Sequence, residues 1–258
     1  MKGKKEMSGG IGETFQQETK YTPEKLQGHT LDWDNVPSPY KDYESPLGRI
    51  SLPEPEFVEG ADLWPLLFRR RSRRDYAPGT PISRPVLAAL LWATQGVTAR
   101  YGDSHFRTAP SAGGLYPVET YLSVRSVEGL EPGIYHFRPH RFDLELLVRG
   151  DHSKAFAAAA LYQDLVGHAQ VTFIWSAIVE RARWKYRQRA YRYIYLDAGH
   201  IAQNLYLAAE AFDMGVCAIG AFFDDDVNRL MGFDGTEETV IYMATAGLKV
   251  RDPNSSPA

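Results

Sequence analysis

The chain has 258 residues, of which 44% are hydrophobic and 24% are charged, and its formal net charge is −3. This length and composition suit a globular protein with one substantial core or two small ones. The slightly negative charge argues against nucleic-acid binding through overall charge, and the single cysteine excludes an intramolecular disulfide or a multi-cysteine metal site. We see no signal-peptide pattern and no membrane-spanning apolar run, so we expect a cytoplasmic protein that does not contact membranes.

The first part of the chain is polar and interrupted by prolines. We expect residues 1–55 to form an extended, partly disordered arm, with residues 1–12 disordered, rather than a separate domain. Residues 56–252 are then expected to form a single domain, followed by a loose tail at 253–258.

The next segments carry helix and strand patterns. Asp62 is a candidate N-cap of a helix that ends near Arg71, and Ser83 of a helix that ends near Gly96. Helices are also predicted from Asp151 to about Gly167, along a long segment up to Met214 with Gly215 as its stop, and from Asp224 to Met231. Strands are predicted at 118–124 (half-buried), 134–137 and 142–148 (a hairpin), 171–179 (buried) and 239–244. Helices and strands do not alternate regularly, which favours an α+β fold.

A dense arginine cluster follows the first of these helices. Residues 69–74 contain five arginines and Ser72. Like charges at this density repel one another unless an anion neutralises them, and guanidinium groups bind phosphate through paired hydrogen bonds. A solvated helix end or a nucleic-acid patch would explain the same residues.

A glycine-containing loop precedes the strand at 118–124. Its residues, Pro110, Ser111, Ala112, Gly113 and Gly114, include two without side chains, so backbone amides can approach a ligand closely. A tight turn before a strand is the simpler interpretation of this loop.

The third informative segment runs from Tyr193 to Leu205 and continues to Gly215 and residues 217–222. It contains Asp197, Gly199, His200, Gln203 and Asn204. Together with the arginine cluster and the glycine loop, in this order and spacing, it resembles the FMN-dependent nitroreductase superfamily. Within that superfamily the chain is most similar to SagB-type dehydrogenases, which oxidise azoline rings in modified peptides to azoles. The resemblance covers roughly residues 62–251.

The resemblance implies a nitroreductase-like fold, with a central mixed or antiparallel sheet flanked by helices, in an intertwined homodimer that binds FMN without a covalent bond. The implied FMN contacts are Arg70, Arg71, Ser72, Arg74, Pro110, Ser111, Ala112, Gly113, Gly114, Gly220, Ala221, Lys249 and Arg251. The backbone near Gly220 and Ala221 would approach flavin N5, and a donor there favours hydride arrival. Position alone distinguishes Lys249 and Arg251 from solvated charges near a chain end.

Lys185 and Tyr186 match a Lys-Tyr pair that SagB-type dehydrogenases share and that is linked to azoline oxidation. Converting an azoline to an azole removes a carbon-bound proton and a hydride, and a lysine with a lowered pKa could take the proton. The alternative is that the basic aromatic run from Arg181 to Arg192 is a solvated face. The same run could also bind single-stranded nucleic acid, but the net negative charge of the chain argues against that function.

Three functions remain open from the sequence. The first is a SagB-type dehydrogenase, with a cyclodehydratase as a possible partner. The second is an NAD(P)H-dependent reductase of nitro compounds or quinones, for which NAD(P)H would be a transient electron donor. The third is a flavin-binding, non-catalytic subunit of a peptide-modifying complex. No pair of the seven histidines has convincing metal spacing, so we expect no metal.

Overall fold

The structure is a computed structural model that describes residues 10–102 and 104–250. Nine strands are found among these residues, and seven of them form the central sheet. The strands are β1 Gly48–Ser51, β2 Val97–Tyr101, β3 Ser104–Arg107, β4 Val118–Val124, β5 Gly133–Arg138, β6 Asp143–Arg149, β7 Val171–Ile178, β8 Met214–Ile219 and β9 Glu238–Leu248. The order in the central sheet is β1-β6-β5-β4-β7-β9-β8, and every neighbouring pair is antiparallel. The short strands β2 and β3 form a separate antiparallel pair.

Helices flank the sheet on both faces. They are α1 Ile11–Glu18, α2 Pro23–Leu26, α3 Leu63–Arg69, α4 Arg84–Gln95, α5 Ser153–Ala159, α6 Asp164–His168, α7 Val179–Tyr186, α8 Ala190–Ala211 and α9 Asp224–Met231. One core lies between the sheet and α4 with α8, and a second lies between the sheet and α5, α6 and α9. The α+β arrangement predicted from the sequence is confirmed, and the central sheet is entirely antiparallel.

Strand β4 lies at the centre of both cores, because side chains alternate between the two faces of a strand. Leu122 packs in the first core and Tyr121 in the second. On the neighbouring β7, Phe173 packs in the first core and Ile174 in the second. Every residue of β4 is buried, so the expectation of a half-buried strand is wrong. Helices cover both faces, and apolar–polar alternation along the strand does not reveal that.

Local capping signals were more reliable. The hydroxyl of Ser83 accepts a hydrogen bond from the backbone of Val86, and α4 ends before Gly96, as predicted. Asp62 precedes α3 without a side-chain cap, and that helix ends at Arg69, just short of the predicted Arg71. The predicted 134–137 and 142–148 hairpin is β5 and β6.

Two helix predictions need correction. The alanine-rich helix predicted from Asp151 to Gly167 is two helices, because Leu161 and Tyr162 between them adopt left-handed φ values of 55° and 58°. Non-glycine residues rarely adopt this conformation, and it interrupts the helical hydrogen bonds.

The second correction concerns the predicted long helix up to Met214. It is broken at residues 187–189 and ends at Ala211, and Met214 begins β8. Gly215 is therefore not a helix stop. A Cβ at Gly215 would lie 2.8 Å from Cβ of Arg73, so the glycine allows the arginine segment to pack against β8.

The N-terminal arm is not simply extended. It contains the helices α1 and α2, and its last part, β1, pairs with β6 at the edge of the sheet. Guanidinium groups of the domain hold the arm: Arg189 donates to the carbonyl of Thr19, and Arg192 donates to the carbonyl of Gln16. Residues 1–9 and the tail at 253–258 lie outside the described residues.

Among residues 10–102 and 104–250, no helix is long and apolar enough to cross a membrane. Over the same residues, His, Cys, Asp and Glu side chains form no group of three or more that could hold a metal ion.

Candidate functional site

The glycine loop connects β3 to β4 and turns through backbone conformations that favour glycine. Gly113 and Gly114 have φ values of 66° and 67°, and the amide of Gly114 donates to the carbonyl of Ser111 over 3.0 Å. Pro110, Gly113 and Gly114 are exposed. The loop therefore presents backbone rather than side chains to whatever lies above it.

Asp197 of α8 holds this loop from below. Its Oδ2 accepts a hydrogen bond of 2.6 Å from the hydroxyl of Ser111, and its Oδ1 accepts one of 3.2 Å from the amide of Ala112. The Ser111 hydroxyl in turn accepts from the amide of Tyr116. Burial raises the pKa of Asp197, and the hydrogen bonds from Ser111 and Ala112 oppose that rise. The carboxylate thus fixes the loop's shape by accepting its donors.

The role of Asp197 in holding the glycine loop was not predicted, although its position in the sequence indicates a buried carboxylate. Asp197 lies on the buried stripe of α8 that also contains Ile194, Ile201 and Leu205. A carboxylate in an apolar stripe needs hydrogen-bond partners from elsewhere in the fold.

Lys185 and Tyr186, at the end of α7, contact the glycine loop at Gly113. A Cβ built on Gly113 would lie 2.5 Å from the hydroxyl oxygen of Tyr186 and 3.1 Å from Nζ of Lys185. The structure therefore brings together two segments that the sequence predicted separately. Any side chain at position 113 would collide with the tip of Tyr186.

Aromatic packing and a tight turn set the direction of this pair. The Tyr186 ring packs edge-on against Tyr193, with ring centroids 4.6 Å apart. The next residue, Arg187, has φ 51° and ψ −134°, a backbone conformation that a residue with a side chain rarely adopts. Burial, then Tyr193 and Asp197, raise the pKa of the Tyr186 hydroxyl, which favours its protonated form.

The arginine segment runs along β8. Ser72 forms a bridge with Val216, and the amide of Arg73 donates to the Val216 carbonyl over 2.8 Å. The Ser72 hydroxyl lies 3.0 Å from the hydroxyl of Tyr206, and the Arg70 guanidinium lies over the Tyr206 ring. Backbone pairing thus fixes the position of a strongly basic segment.

The predicted phosphate ligands in this segment keep their charges exposed or half-exposed. Arg71 and Arg74 are exposed, and Arg70 is half-buried. Arg71 donates only to nearby backbone carbonyls, those of Phe68 and Arg70. Within the described part of the chain, no carboxylate lies within 4.0 Å of these three guanidinium groups.

Gly220 and Ala221 follow the end of β8 and are exposed. Gly220 lies four positions after Val216, which pairs with Ser72, and an extended chain advances roughly 13 Å over four positions. Strand β8 therefore links the arginine segment to the predicted N5 contact. The carbonyl of Ala221 accepts a hydrogen bond from Gln163, and this bond holds the turn after the strand.

Lys249 is already paired in the structure. Its Nζ lies 3.1 Å from Oε1 of Glu210 and 3.0 Å from Oδ1 of Asp213. Two carboxylates thus balance its charge, and a phosphate would have to compete with them, so its predicted contact with FMN stays a prediction. Arg251, the other predicted residue after the last strand, lies outside the described residues.

The basic run around Lys185 is not a continuous solvated face. Arg181 is buried and forms an ion pair with the buried Glu119. Arg183 pairs with Glu180 on the surface, while Arg189 and Arg192 bind the N-terminal arm. Folding therefore commits most of these arginines to partners within the chain, which leaves few of them for a nucleic-acid strand.

The structure thus combines an antiparallel sheet with a basic segment along β8 and an exposed glycine loop beside Lys185 and Tyr186. The chain belongs to the nitroreductase family, whose model matches residues 67–248, and it is an oxidoreductase. The matched region includes every predicted site residue except Lys249 and Arg251.

Three relatives place the chain more closely. The nitroreductase-family protein MJ1384 of Methanocaldococcus jannaschii is 36% identical over 182 residues, which are 70% of this chain and 88% of that protein. The trifolitoxin-processing protein TfxB of Rhizobium leguminosarum bv. trifolii is 35% identical over 112 residues, 41% of this chain and 30% of TfxB. The microcin B17-processing protein McbC of Escherichia coli is 27% identical over 133 residues, 50% of this chain and 49% of McbC. The matched regions thus span half or less of the two processing proteins.

Solved structures show the same fold. A nitroreductase-type protein from Anabaena variabilis matches with a TM-score of 0.76 and 31% identity over 96% of this chain and 48% of that one. A chain of the E. coli microcin synthetase McbBCD complex, with truncated pro-MccB17 bound, matches with a TM-score of 0.61 and 20% identity over 94% and 92%. A nitroreductase-type protein from Desulfovibrio desulfuricans in complex with FMN matches at 0.52 and 17% over 76% and 90%. The resemblance to the nitroreductase superfamily, and within it to SagB-type proteins, is confirmed.

Proposed function

We propose that this protein is an FMN-dependent dehydrogenase that oxidises an azoline ring in a peptide to an azole. The observation that carries the proposal is the convergence of Lys185 Nζ and the Tyr186 hydroxyl on the backbone of Gly113. A base and a hydrogen-bonding hydroxyl thus lie beside a loop that suits a planar ligand. That combination matches the chemistry of removing a proton and a hydride from one ring.

The described residues fit FMN in two respects. The backbone of Gly113 and Gly114 is exposed in left-handed conformations, and an added Cβ at Gly114 would meet no atom within 4 Å, which leaves room there for a flat ring system. Arg70, Ser72 and Arg74 offer guanidinium and hydroxyl donors without a competing carboxylate among the described residues, as a phosphate requires. Arg71 and Ser111 would make further contacts with FMN. The flavin ring would be lined by Pro110, Ala112, Gly220 and Ala221.

When bound, FMN supplies a two-electron acceptor for the hydride. Lys185 would take the proton from one ring carbon, the electrons of that C–H bond would form the new ring double bond, and the adjacent ring carbon would release the hydride, so that the azoline becomes the azole. Tyr186 donates a hydrogen bond that orients the ring. Asp197 holds the glycine loop beneath this pair through Ser111 and Ala112. Dioxygen would be the final acceptor of the two electrons.

The names of two relatives support a peptide substrate. TfxB and McbC are processing proteins of the peptides trifolitoxin and microcin B17, and the McbBCD structure is a synthetase complex with a peptide bound. By analogy we propose that a cyclodehydratase partner makes the azoline that this chain oxidises. The analogy rests on less than half of TfxB and about half of McbC.

We also propose a homodimer, because α3 leaves a large apolar face uncovered. Trp64 is 77% exposed and Phe68 is 80% exposed. A second copy that covered this face would remove both rings from water. Sedimentation of a Trp64→Glu/Phe68→Glu variant should then report a monomer, whereas a monomeric wild-type protein would contradict the homodimer.

One observation favours a second candidate, an NAD(P)H-dependent reductase of nitro compounds or quinones. MJ1384, which is 36% identical over 70% of this chain, is named as a nitroreductase. Such a reductase would keep the arginine segment and the glycine loop but would not need Lys185.

Anaerobic reduction of the purified, FMN-loaded protein separates these functions. We expect a synthetic thiazoline peptide to bleach the flavin absorbance and to lose the mass of two hydrogen atoms, while NADH and NADPH do not bleach it. Lys185→Ala should lower that rate about 100-fold or more, the range for loss of a general base, with FMN retained. Arg183→Ala, a change on the same helix but at the Glu180 pair, is the matched control.

Each other outcome points to a different conclusion. Rapid bleaching by NADH or NADPH, with Lys185→Ala unchanged, would identify the reductase. Failure of every donor in the FMN-loaded wild type would favour a non-catalytic subunit. A protein that does not take up FMN would overturn the proposal as a whole.

A further inference from the structure

A cavity of about 300 Å³ lies between the N-terminal arm and the turn that follows α7. We call it the arm cavity. One wall comes from the arm, with Tyr21, Lys25 and Leu26, and the other comes from residues 185–189. The cavity therefore exists only because the arm folds over the turn that carries the Lys-Tyr pair.

Specific contacts hold the arm in this position. Nε2 of His29 lies 2.9 Å from the carbonyl oxygen of Lys185, and the indole of Trp184 donates to the carbonyl of Asp32 over 2.9 Å. Trp33 packs edge-on against Trp184, with ring centroids 5.4 Å apart. The arm is thus fastened to the catalytic turn itself rather than to a remote surface.

The charge of the cavity wall is strongly one-sided. Besides Lys185, the proposed base, four basic residues line the cavity, against one acidic residue, Glu18. That carboxylate lies 4.0 Å from Lys25. Within the described residues, Arg187 has no carboxylate within 4.0 Å. A wall of this kind attracts an anion.

The backbone at Arg187 adds a second, independent observation. Its φ of 51° and ψ of −134° fall where glycine is usual, yet the position carries an arginine whose side chain lines the cavity. Strained backbone of this kind clusters at functional sites, where the surrounding structure holds it. With this backbone conformation at the turn, Lys185, Tyr186 and Arg187 all line the cavity.

The arm cavity and the proposed active site share a wall. Lys185 and Tyr186 line the cavity, and the tips of the same two side chains meet Gly113. A chain segment bound in the cavity would thus be adjacent to a ring placed over the glycine loop. The apolar surfaces of Tyr21 and Leu26 suit the aliphatic part of such a segment.

We propose that the arm cavity binds an acidic segment of the peptide substrate, next to the ring that is oxidised. This inference rests on the proposed function for its substrate class. The carboxylate of an aspartate or glutamate would pair with Arg187 and Lys25. The N-terminal arm is accordingly part of the substrate site and selects peptides by charge.

Binding can be tested without turnover. Two fluorescent peptides without an azoline, one with three aspartates and one with three asparagines at the same positions, are titrated into the FMN-loaded protein at low salt. We expect the aspartate peptide to bind about tenfold more tightly, which corresponds to about 1.4 kcal/mol. An Arg187→Glu/Lys25→Glu variant should abolish this preference, and the Arg183→Glu control should keep it.

Turnover then separates this inference from the proposed function. Thiazoline versions of the two peptides should differ in KM, with kcat similar. If neither is oxidised but the charge preference and its loss in the variant remain, the cavity assignment stands and the proposed function fails. Equal binding of both peptides, or a preference that survives Arg187→Glu/Lys25→Glu, would overturn the cavity assignment. Displacement of the aspartate peptide by NADPH or inorganic diphosphate, with the same dependence on Arg187, would overturn the peptide as occupant in favour of a phosphate group.

Discussion

Two groups of charged residues in this protein are organised in opposite ways. On one face of the sheet, His136 of β5 is buried between two carboxylates. It lies 3.0 Å from Glu119 and 3.1 Å from Glu145, and Glu119 also pairs with Arg181. In the arginine segment at 69–74 the guanidinium groups are exposed or half-buried. Among the described residues, Arg69 is the arginine of this segment that has a carboxylate within 4.0 Å, that of Glu210 at 3.8 Å.

The difference separates charges that complete the fold from charges that are available to a ligand. A buried ion needs partners within the chain, because its loss of water is costly. The exposed segment is positioned by backbone bonds to Val216 instead, so its charges are not needed for folding. The four predictions below test this contrast, in order of decreasing effect.

Removing the charge of Glu119 should have the largest effect on stability. Glu119→Gln leaves Arg181, His136 and the nearby buried Arg107 without their common counter-charge. We expect a loss of about 3–5 kcal/mol in the free energy of unfolding, as for other broken buried pairs. Denaturant unfolding measures it, with Glu180→Gln in an exposed pair as a control that should change stability by less than about 1 kcal/mol. Equal effects of the two changes would contradict the contrast.

Neutralising the exposed segment should affect ligand binding and not the fold. In Arg70→Ala/Arg74→Ala we expect the FMN dissociation constant to rise about 100-fold, since each charge-assisted hydrogen bond contributes about 1.5 kcal/mol. The melting temperature of the FMN-free protein should stay unchanged. Flavin fluorescence titration measures the affinity, and an unchanged affinity would move the phosphate site towards Lys249 and Arg251.

Asp197 is an intermediate case, because it is a buried carboxylate whose hydrogen-bond donors, Ser111 and Ala112, are neutral. Asp197→Ala should lower stability by about 1–3 kcal/mol, the cost of leaving these donors without an acceptor. Asp197→Asn keeps an acceptor oxygen and should lose less. Unfolding curves give the stability, and FMN affinity reports the loop's shape. If the alanine variant bound FMN normally, Asp197 would have no positioning role.

The pH dependence of stability should report the buried group. Burial opposes the charge on His136, but its hydrogen bonds to Glu119 and Glu145 outweigh that effect and raise its pKa. Its contribution to stability is therefore complete below the ordinary pKa of 6.5 and is lost as the pH rises through the folded-state pKa.

Glu119 should act in the opposite direction. Burial alone would raise its pKa, but Arg181 and His136 lower it from 4.5 to about 2. Its contribution is present above pH 4.5 and is lost as the pH falls towards about 2. Unfolding free energies measured across pH should thus decline on both sides, and His136→Gln should flatten the alkaline side. A decline on that side that is unchanged in His136→Gln would assign it to another group.

The sequence predicted several local features correctly, because neighbouring residues determine them. The Ser83 cap, the hairpin at 134–148 and the buried strand at 171–179 depend on hydrogen bonds and periodicity within a few residues. Its predictions failed where the chain adopts rare backbone conformations. Leu161 and Tyr162 interrupt a helix that the alanine-rich composition favoured.

Within the site, motif spacing brought the arginine segment, the glycine loop and the Lys-Tyr pair to attention, and the family match confirmed the class to which they belong. Their arrangement could not be predicted in the same way. The contact of Tyr186 with Gly113 joins positions 73 residues apart, and only the packing of α7 against the loop before β4 creates it.

By itself, the sequence determined the fold class, the family and the residue types of the site, because those depend on local pattern and on matched motifs. Tertiary structure alone decided which charges are satisfied. Arg181 is buried with Glu119, 62 positions away, while the neighbouring Arg183 stays on the surface with Glu180. Tertiary structure also decided that the N-terminal arm covers the turn that carries Lys185 and Tyr186. The physical reason is the same in both cases: a charge is neutralised by whatever the fold places beside it, and that partner usually lies far along the chain.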